Sequence, residues 1–313
     1  MDVDRERIEV AMRAAVVTSD PYLTDIASHL ILAGGKRLRP VLSVIAGQID
    51  GGAVTDDVVQ GGVACELVHL GSLYHDDVMD EAETRRGVDT VNARWGNLQA
   101  ILAGDFLLSR ASEIAASLGT EVAGLLARTI GWLCEGQIEE LRHTYDPDRP
   151  EDSYFRSIHG KTASLYGTAA RIGGIVAGLD RERIDALTDY GHAYGMVFQV
   201  VDDVLDLTAT DEQLGKPAGH DMEEGVYTLP VLRTLAGDGA GEELRELLGA
   251  PLDADTRDKA LKLVRSGNGI EEAIATAERF VAAAGEACDR LGDHPAVPAM
   301  RAAPGALLDS VSA

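Results

Sequence analysis

Aromatic residues are scarce in this sequence: two Trp, eight Tyr and four Phe, 4% of 313 residues. β-Sandwiches and barrels draw on aromatic and β-branched side chains. The shortage, set against 34 Gly, recurrent Ala and Leu and a hydrophobic content of 45%, points to packed helices around a substantial core. Basic residues are also few, 28 Lys and Arg against 52 Asp and Glu, for a formal charge of −24. Repulsion from phosphate argues against a nucleic-acid partner, and most of the acid is read as surface that keeps the chain in solution. Only Cys65, Cys134 and Cys288 carry thiols. Widely spaced in apolar helical patterns, they suggest neither a disulfide framework nor a zinc site and read as small core residues in a reducing compartment. No run approaches the roughly 20 apolar residues of a membrane span, and the opening Met-Asp-Val-Asp-Arg-Glu-Arg is charged where a signal peptide is apolar. The expected location is the cytoplasm.

Helical periodicity and its breakers predict an all-α chain of one domain over 1–313. Helices are expected over 4–18 and 21–33, the second opened by Asp20 and Pro21 and stopped by Gly34-Gly35. Further helices are expected from Pro40 to about 48, then over 56–79, 91–117, 120–141, 153–179, 181–208, 228–236, 254–265 and 270–291. The Gly-rich, charged stretch Asp211 to Tyr227 reads as a functional loop.

The sharpest feature is a near-duplication. Asp76-Asp77-Val78-Met79-Asp80 closes one long helical pattern, and Asp202-Asp203-Val204-Leu205-Asp206 closes another. Within each copy the outer carboxylates are spaced i, i+4 and share a helical face, with the middle one turned about 100° away. Like charges at a helix C-terminus, where the macrodipole is also negative, call for a compensating cation. Mg²⁺, which takes carboxylate and diphosphate oxygens and keeps several waters, suits the pattern. Basic residues that would clamp a second, metal-free diphosphate stand in Gly34-Gly35-Lys36-Arg37-Leu38-Arg39-Pro40 and in Arg85-Arg86-Gly87. His69 shares the helical face of Asp76 and Asp80 and is a candidate phosphate donor, whereas His75 points elsewhere. Lys161, Thr162, Gln199 and Lys216 complete the polar set.

These residues resemble the trans-isoprenyl diphosphate synthases, or polyprenyl synthetases, across nearly the whole chain. The likeness rests on Gly34 to Pro40, Glu66 to Gly87, Lys161-Thr162, Phe198-Gln199, Asp202 to Asp206, Gly215-Lys216-Pro217 and Asp221 to Pro230, in the family's order. It implies a bundle of ten or more helices around a cavity, usually a homodimer, with the two acidic motifs facing each other and three Mg²⁺ ions held between them. Asp76, Asp80, Asp202 and Asp206 would then be metal ligands, with Asp77 and Asp203 in support. Arg85, Lys161, Thr162, Gln199 and Lys216 would contact an allylic diphosphate, and Lys36, Arg39, His69 and Arg86 would hold isopentenyl diphosphate. One departure is visible: many relatives read Glu-Gly-Lys where this chain has Glu224-Gly225-Val226, so one phosphate contact of that loop is missing.

The implied reaction is chain elongation: an allylic cation is attacked by the double bond of isopentenyl diphosphate, without a side-chain nucleophile. Product length would be set along an apolar tunnel one and two turns before Asp76. Gly71 and Ser72 are small and Val68 modest, so a product of geranylgeranyl length or longer is expected. Trp132 is a candidate floor or, equally, a core residue. Class I terpene cyclases usually mix Asn, Ser or Thr with Glu at their second metal site, which the second Asp motif disfavours, and noncatalytic partner subunits tend to lose one motif.

Overall fold

A computed structural model describes residues 2–210 and 217–311. Within them the regular structure is helical apart from one two-stranded hairpin. Two compact units divide it: residues 1–130 with 165–188, and residues 131–164 with 189–313.

The first unit contains α1 (Asp2–Ala15), α2 (Pro21–Leu32), α3 (Leu38–Gly47), α4 (Asp56–Met79), α5 (Val91–Trp95), α6 (Asn97–Ser117) and the first half of α7 (Thr120–Leu141). Nearly all of α9 (Ser164–Val176) joins them. Asp20 caps α2 by accepting from the Tyr22 amide, and Thr55 caps α4 by accepting from Val58 N at 3.3 Å. Ile8, Met12, Leu30, Leu67, Leu70, Tyr74, Leu107 and Leu126 fill the core. Helices α4 and α6 cross at paired glycines. A Cβ on Gly71 would lie 3.0 Å from the Gly104 carbonyl oxygen, and one on Gly104 would lie 3.1 Å from that of Gly71. His75, beside this crossing, donates from Nε2 to the Ile101 carbonyl at 3.2 Å.

The second unit holds the second half of α7, then α8 (Glu151–Ile158) and one π-helical turn, His159–Ala163. Most of α10 (Arg181–Thr208) follows, then α11 (His220–Glu223), α12 (Leu229–Ala236), α13 (Ala240–Leu247), α14 (Ala254–Ser266), α15 (Gly269–Asp289) and α16 (Val297–Asp309). Its core gathers Tyr154, Val200, Val204, Tyr227, Leu229, Val231, Leu244 and Val264.

The expected bounds 56–79, 120–141 and 181–208 coincide with α4, α7 and α10. Several expectations are corrected. The stretch 91–117 is two helices, because Gly96 sits at φ 94°. The helix expected over 153–179 is α8, the π turn and α9, and α13 and α16 were not anticipated. Cys65 and Cys288 are buried, but Cys134 is exposed.

Candidate functional site

In the first unit, α4 ends at Met79, and Asp80 N donates to the Asp76 carbonyl at 2.8 Å while Glu81 turns left-handed at φ 49°. Asp76 is half-buried, Asp80 exposed, and the middle Asp77 fully enclosed. Burial pushes the Asp77 carboxyl up, and Arg85, donating from Nε to Oδ1 at 2.5 Å, counters this; Oδ2 has no hydrogen-bond partner. Arg85 stands on a hairpin, Thr84–Arg85 against Val88–Asp89, turned by Arg86 and Gly87 at φ 55° and 76°. Two consecutive positive φ values suit the right-handed twist of a tight hairpin. Arg86, at its tip, donates from Nη1 to the carbonyls of Leu30 and Gly34, which brings it to the glycine pair before Lys36.

Lys36 is exposed. Arg37 is left-handed at φ 51°, buried, and tied to Glu9 at 2.6 Å, to Glu66 at 3.4 Å and to the Ile31 carbonyl at 2.8 Å, so this member of the basic run is structural. Arg39 is buried with its guanidinium carbon 4.5 Å from the centre of the Tyr166 ring, and its Nε has no hydrogen-bond partner. A buried cation held only by a π face keeps donors for an anion. His69, half-buried, is held well below the ordinary imidazole range by burial and then by Arg39, Arg86, Arg85 and Arg37. Its neutral ring offers a single N–H beside four cations.

That depression carries a prediction. At pH above about 6.5 the ring is neutral in folded and unfolded chains alike. Below that the unfolded chain takes the proton first, so His69 costs stability by up to about 1.4 kcal/mol per pH unit until the folded value is reached. Denaturant melts of wild type and His69→Gln between pH 7.5 and 5 should diverge as pH falls, the variant losing less. The difference cancels the separate contribution of His159, whose imidazole burial also lowers. Parallel pH profiles would contradict it.

In the second unit, Gly136 and Gly160 let α7 and the π turn meet: a Cβ on Gly136 would lie 2.6 Å from Lys161 N and 2.7 Å from the Ser157 carbonyl oxygen. π Turns recur at functional sites because they re-aim side chains within a helix. This one carries Lys161, which donates to Glu140 Oε1 at 2.5 Å, and Thr162, whose Oγ1 donates to Gln199 Oε1 at 2.7 Å. Gln199 Nε2 donates to Asp203 Oδ1 at 2.9 Å, and Tyr154 OH to Asp203 Oδ2 at 2.5 Å. Asp203 is therefore enclosed like Asp77, and burial, with the nearby Asp221, drives its carboxyl well above the usual range. Asp202 is exposed. Asp206 is buried, its Oδ2 accepting from the Asp221 amide at 3.3 Å at the start of α11. Lys216 lies outside the described residues.

Among the described residues no three His, Cys, Asp or Glu side chains are gathered closely enough to hold a metal ion by themselves. The donor set nevertheless fits a hard cation that takes one or two carboxylates and completes its sphere with water and phosphate oxygens.

The length-setting positions separate. Val68 is fully buried and Gly71 faces the α6 backbone. Ser72 is half-buried, its hydroxyl bonded to the His69 carbonyl of its own helix at 2.9 Å. Trp132 is 36% exposed, which corrects its reading as a core residue. It lines an open cleft of about 1050 Å³ with Phe155, Met196 and Phe280, all in the second unit. Sequence reasoning missed Glu140, Tyr154, Arg149 and Tyr166, which act through contacts distant in sequence.

A family model described as polyprenyl synthetase matches residues 20–264. The nonaprenyl diphosphate synthase of Mycobacterium tuberculosis is 39% identical over 298 residues, covering 95% of this chain and 88% of that protein. The crystal structure of a decaprenyl diphosphate synthase from Rhodobacter capsulatus superimposes with a TM-score of 0.91 at 31% identity, over 99% of this chain and 97% of that one. A geranylgeranyl pyrophosphate synthase from Corynebacterium glutamicum, crystallised with calcium and isoprenyl diphosphate, gives a TM-score of 0.88 at 37% identity, over 99% and 96%.

Proposed function

The chain belongs to the polyprenyl synthetase family, and from this we propose that its two acidic motifs hold Mg²⁺ against an allylic diphosphate while Lys36, Arg39, His69 and Arg86 hold isopentenyl diphosphate. The protein is a transferase that joins the two substrates head to tail, giving an all-trans product of geranylgeranyl length or longer. The observation that carries the residue assignment is the repeated motif. In each copy the middle Asp is buried and pinned by a protein donor, and the first Asp is more accessible.

The family is metal-dependent, and three Mg²⁺ ions are assigned here, with Asp76, Asp80, Asp202 and Asp206 as ligands. Bound metal neutralises charge that develops on the diphosphate as the allylic C–O bond ionises. Lys161 and Lys216 add positive charge to the same leaving group, with Arg85 beside Asp77. Thr162 and Gln199 orient the π turn that presents Lys161. Arg39 and Arg86 fix the second diphosphate and so the reach of its double bond toward the cation. The released pyrophosphate takes the final proton.

No helix among the described residues is long and apolar enough to cross a membrane. The cytoplasmic assignment rests on three free cysteines, one of them exposed. A homodimer is assigned on the exposed stripe Leu98, Ile101 and Leu102 of α6, where three large apolar residues share a face. The single-domain reading over 1–313 is retained because the chain passes between the two units three times.

Purified protein with Mg²⁺, labelled isopentenyl diphosphate and dimethylallyl, geranyl or farnesyl diphosphate should yield products that stop at one length, from a particle sedimenting as a dimer. Hydrocarbon made from an allylic diphosphate alone would indicate a cyclase. No incorporation by folded protein would indicate a partner subunit.

A further inference from the structure

Tyr154 is 1% exposed on α8, and its hydroxyl occupies one oxygen of Asp203, itself 3% exposed. Gln199 occupies the other oxygen and is held in turn by Thr162. Both oxygens of the middle carboxylate are thus taken by protein donors, one from α8 and one from a turn earlier in α10. A carboxylate so enclosed is a poor choice for stability alone, since apolar packing of the same volume is usually at least as good. What it supplies is direction. Asp202 precedes Asp203 by one residue, about 100° around the helix, so fixing Asp203 against α8 fixes the roll of the turn that carries Asp202 outward.

Arg149 lies behind this arrangement. It is 5% exposed, with its guanidinium carbon 5.7 Å from the Tyr154 ring centre. One weak bond, from Nη1 to the Tyr227 carbonyl at 3.3 Å, leaves its Nε and Nη2 without partners. A guanidinium this poorly satisfied is costly to bury, and the acids whose charge offsets that cost are Glu140, Asp203 and Glu139. The first acidic motif repeats the plan with Arg85 on Asp77.

We propose that Tyr154, with Arg149 behind its ring, is a positioning residue that aims the second acidic motif at the metal and diphosphate. The proposal rests on the reading of that motif as a metal carrier. Its test follows binding without turnover: the full chain is titrated with Mg²⁺ in the presence of an unreactive allylic thiodiphosphate, by calorimetry. Tyr154→Phe, which deletes one oxygen, should raise the Mg²⁺ midpoint about tenfold, the lower end of the range for losing a bond made to a ligand itself, because Tyr154 reaches Asp202 only through Asp203. Affinity for isopentenyl diphosphate, held by residues of the other unit, should stay within twofold. In an Asp203→Asn background the same change should add less than twofold, because the partner it acts through is already altered.

A lowered melting temperature with an unchanged Mg²⁺ midpoint would make Tyr154 a purely structural residue and overturn the proposal. So would an undiminished effect in the Asp203→Asn background. Should Tyr154→Phe not fold, Arg149→Met carries the same comparison, with the same midpoint shift expected. A wild-type chain that shows no Mg²⁺ response with the thiodiphosphate overturns the metal reading itself, whereas a responding wild type and an equally responding Tyr154→Phe overturn only the role of Tyr154.

Discussion

Asp76→Ala and Asp202→Ala are each expected to lower kcat/KM for isopentenyl incorporation on the order of 10³-fold, the scale reached when a principal electrostatic contact to a developing anion is removed. Asp76 closes α4 and Asp202 stands exposed near the end of α10, each next to a carboxylate that is already pinned inside the protein. Clustered acids at a helix C-terminus oppose the macrodipole, so neither substitution should cost more than about 1 kcal/mol of stability in metal-free protein. Steady-state assays across a Mg²⁺ series, with thermal melts in EDTA, separate the two effects. Activity within tenfold of wild type at saturating Mg²⁺ would remove that residue from the metal assignment.

Ser72→Phe is expected to shorten the product by several isoprene units. Ser72 lies one helical turn before Asp76, is half-buried, and spends its hydroxyl on its own helix, so a larger side chain can replace it without breaking a bond to another element. Gly71→Phe is expected to act differently. Even a Cβ there meets the Gly104 carbonyl oxygen at 3.0 Å and the Leu108 side chain at 3.3 Å, so a ring would force α4 and α6 apart at a cost of about 3 kcal/mol or more. Sizing of dephosphorylated products, alongside melting curves, checks both. An unchanged product distribution from a stable Ser72→Phe would place the growing chain elsewhere.

Much of the architecture could be read from the chain because its long helices carry their own boundaries: Thr55 before α4, Asp20 before α2, a glycine pair after it. Where a boundary depended on one backbone angle, as at Gly96, or on an extra residue per turn, as over His159–Ala163, periodicity ran straight through it. Helix α13 follows Gly237-Asp238-Gly239 and α16 has Pro304 inside, and these breakers masked the helical pattern at both. The site divides similarly. The outer carboxylates and the basic residues are legible because their chemistry is local to a motif. Their supports are not: Tyr154 meets Asp203 across 49 residues, and Arg39 meets the Tyr166 ring from another helix. Arg37 shows the converse, a residue of the expected clamp whose charge is spent on Glu9 and Glu66.

The tie between Arg37 and Glu9 sets a limit on shortening the protein from its front end. Every residue assigned a chemical role begins at Lys36, so α1 looks dispensable for turnover. Yet Glu9 supplies the closer of the two carboxylates that neutralise a guanidinium only 4% exposed, and Arg37 sits directly between Lys36 and the turn into Arg39. A version beginning at Pro21 would strand that cation with Glu66 alone at 3.4 Å. A purification handle belongs before α1, as an extension, rather than in its place.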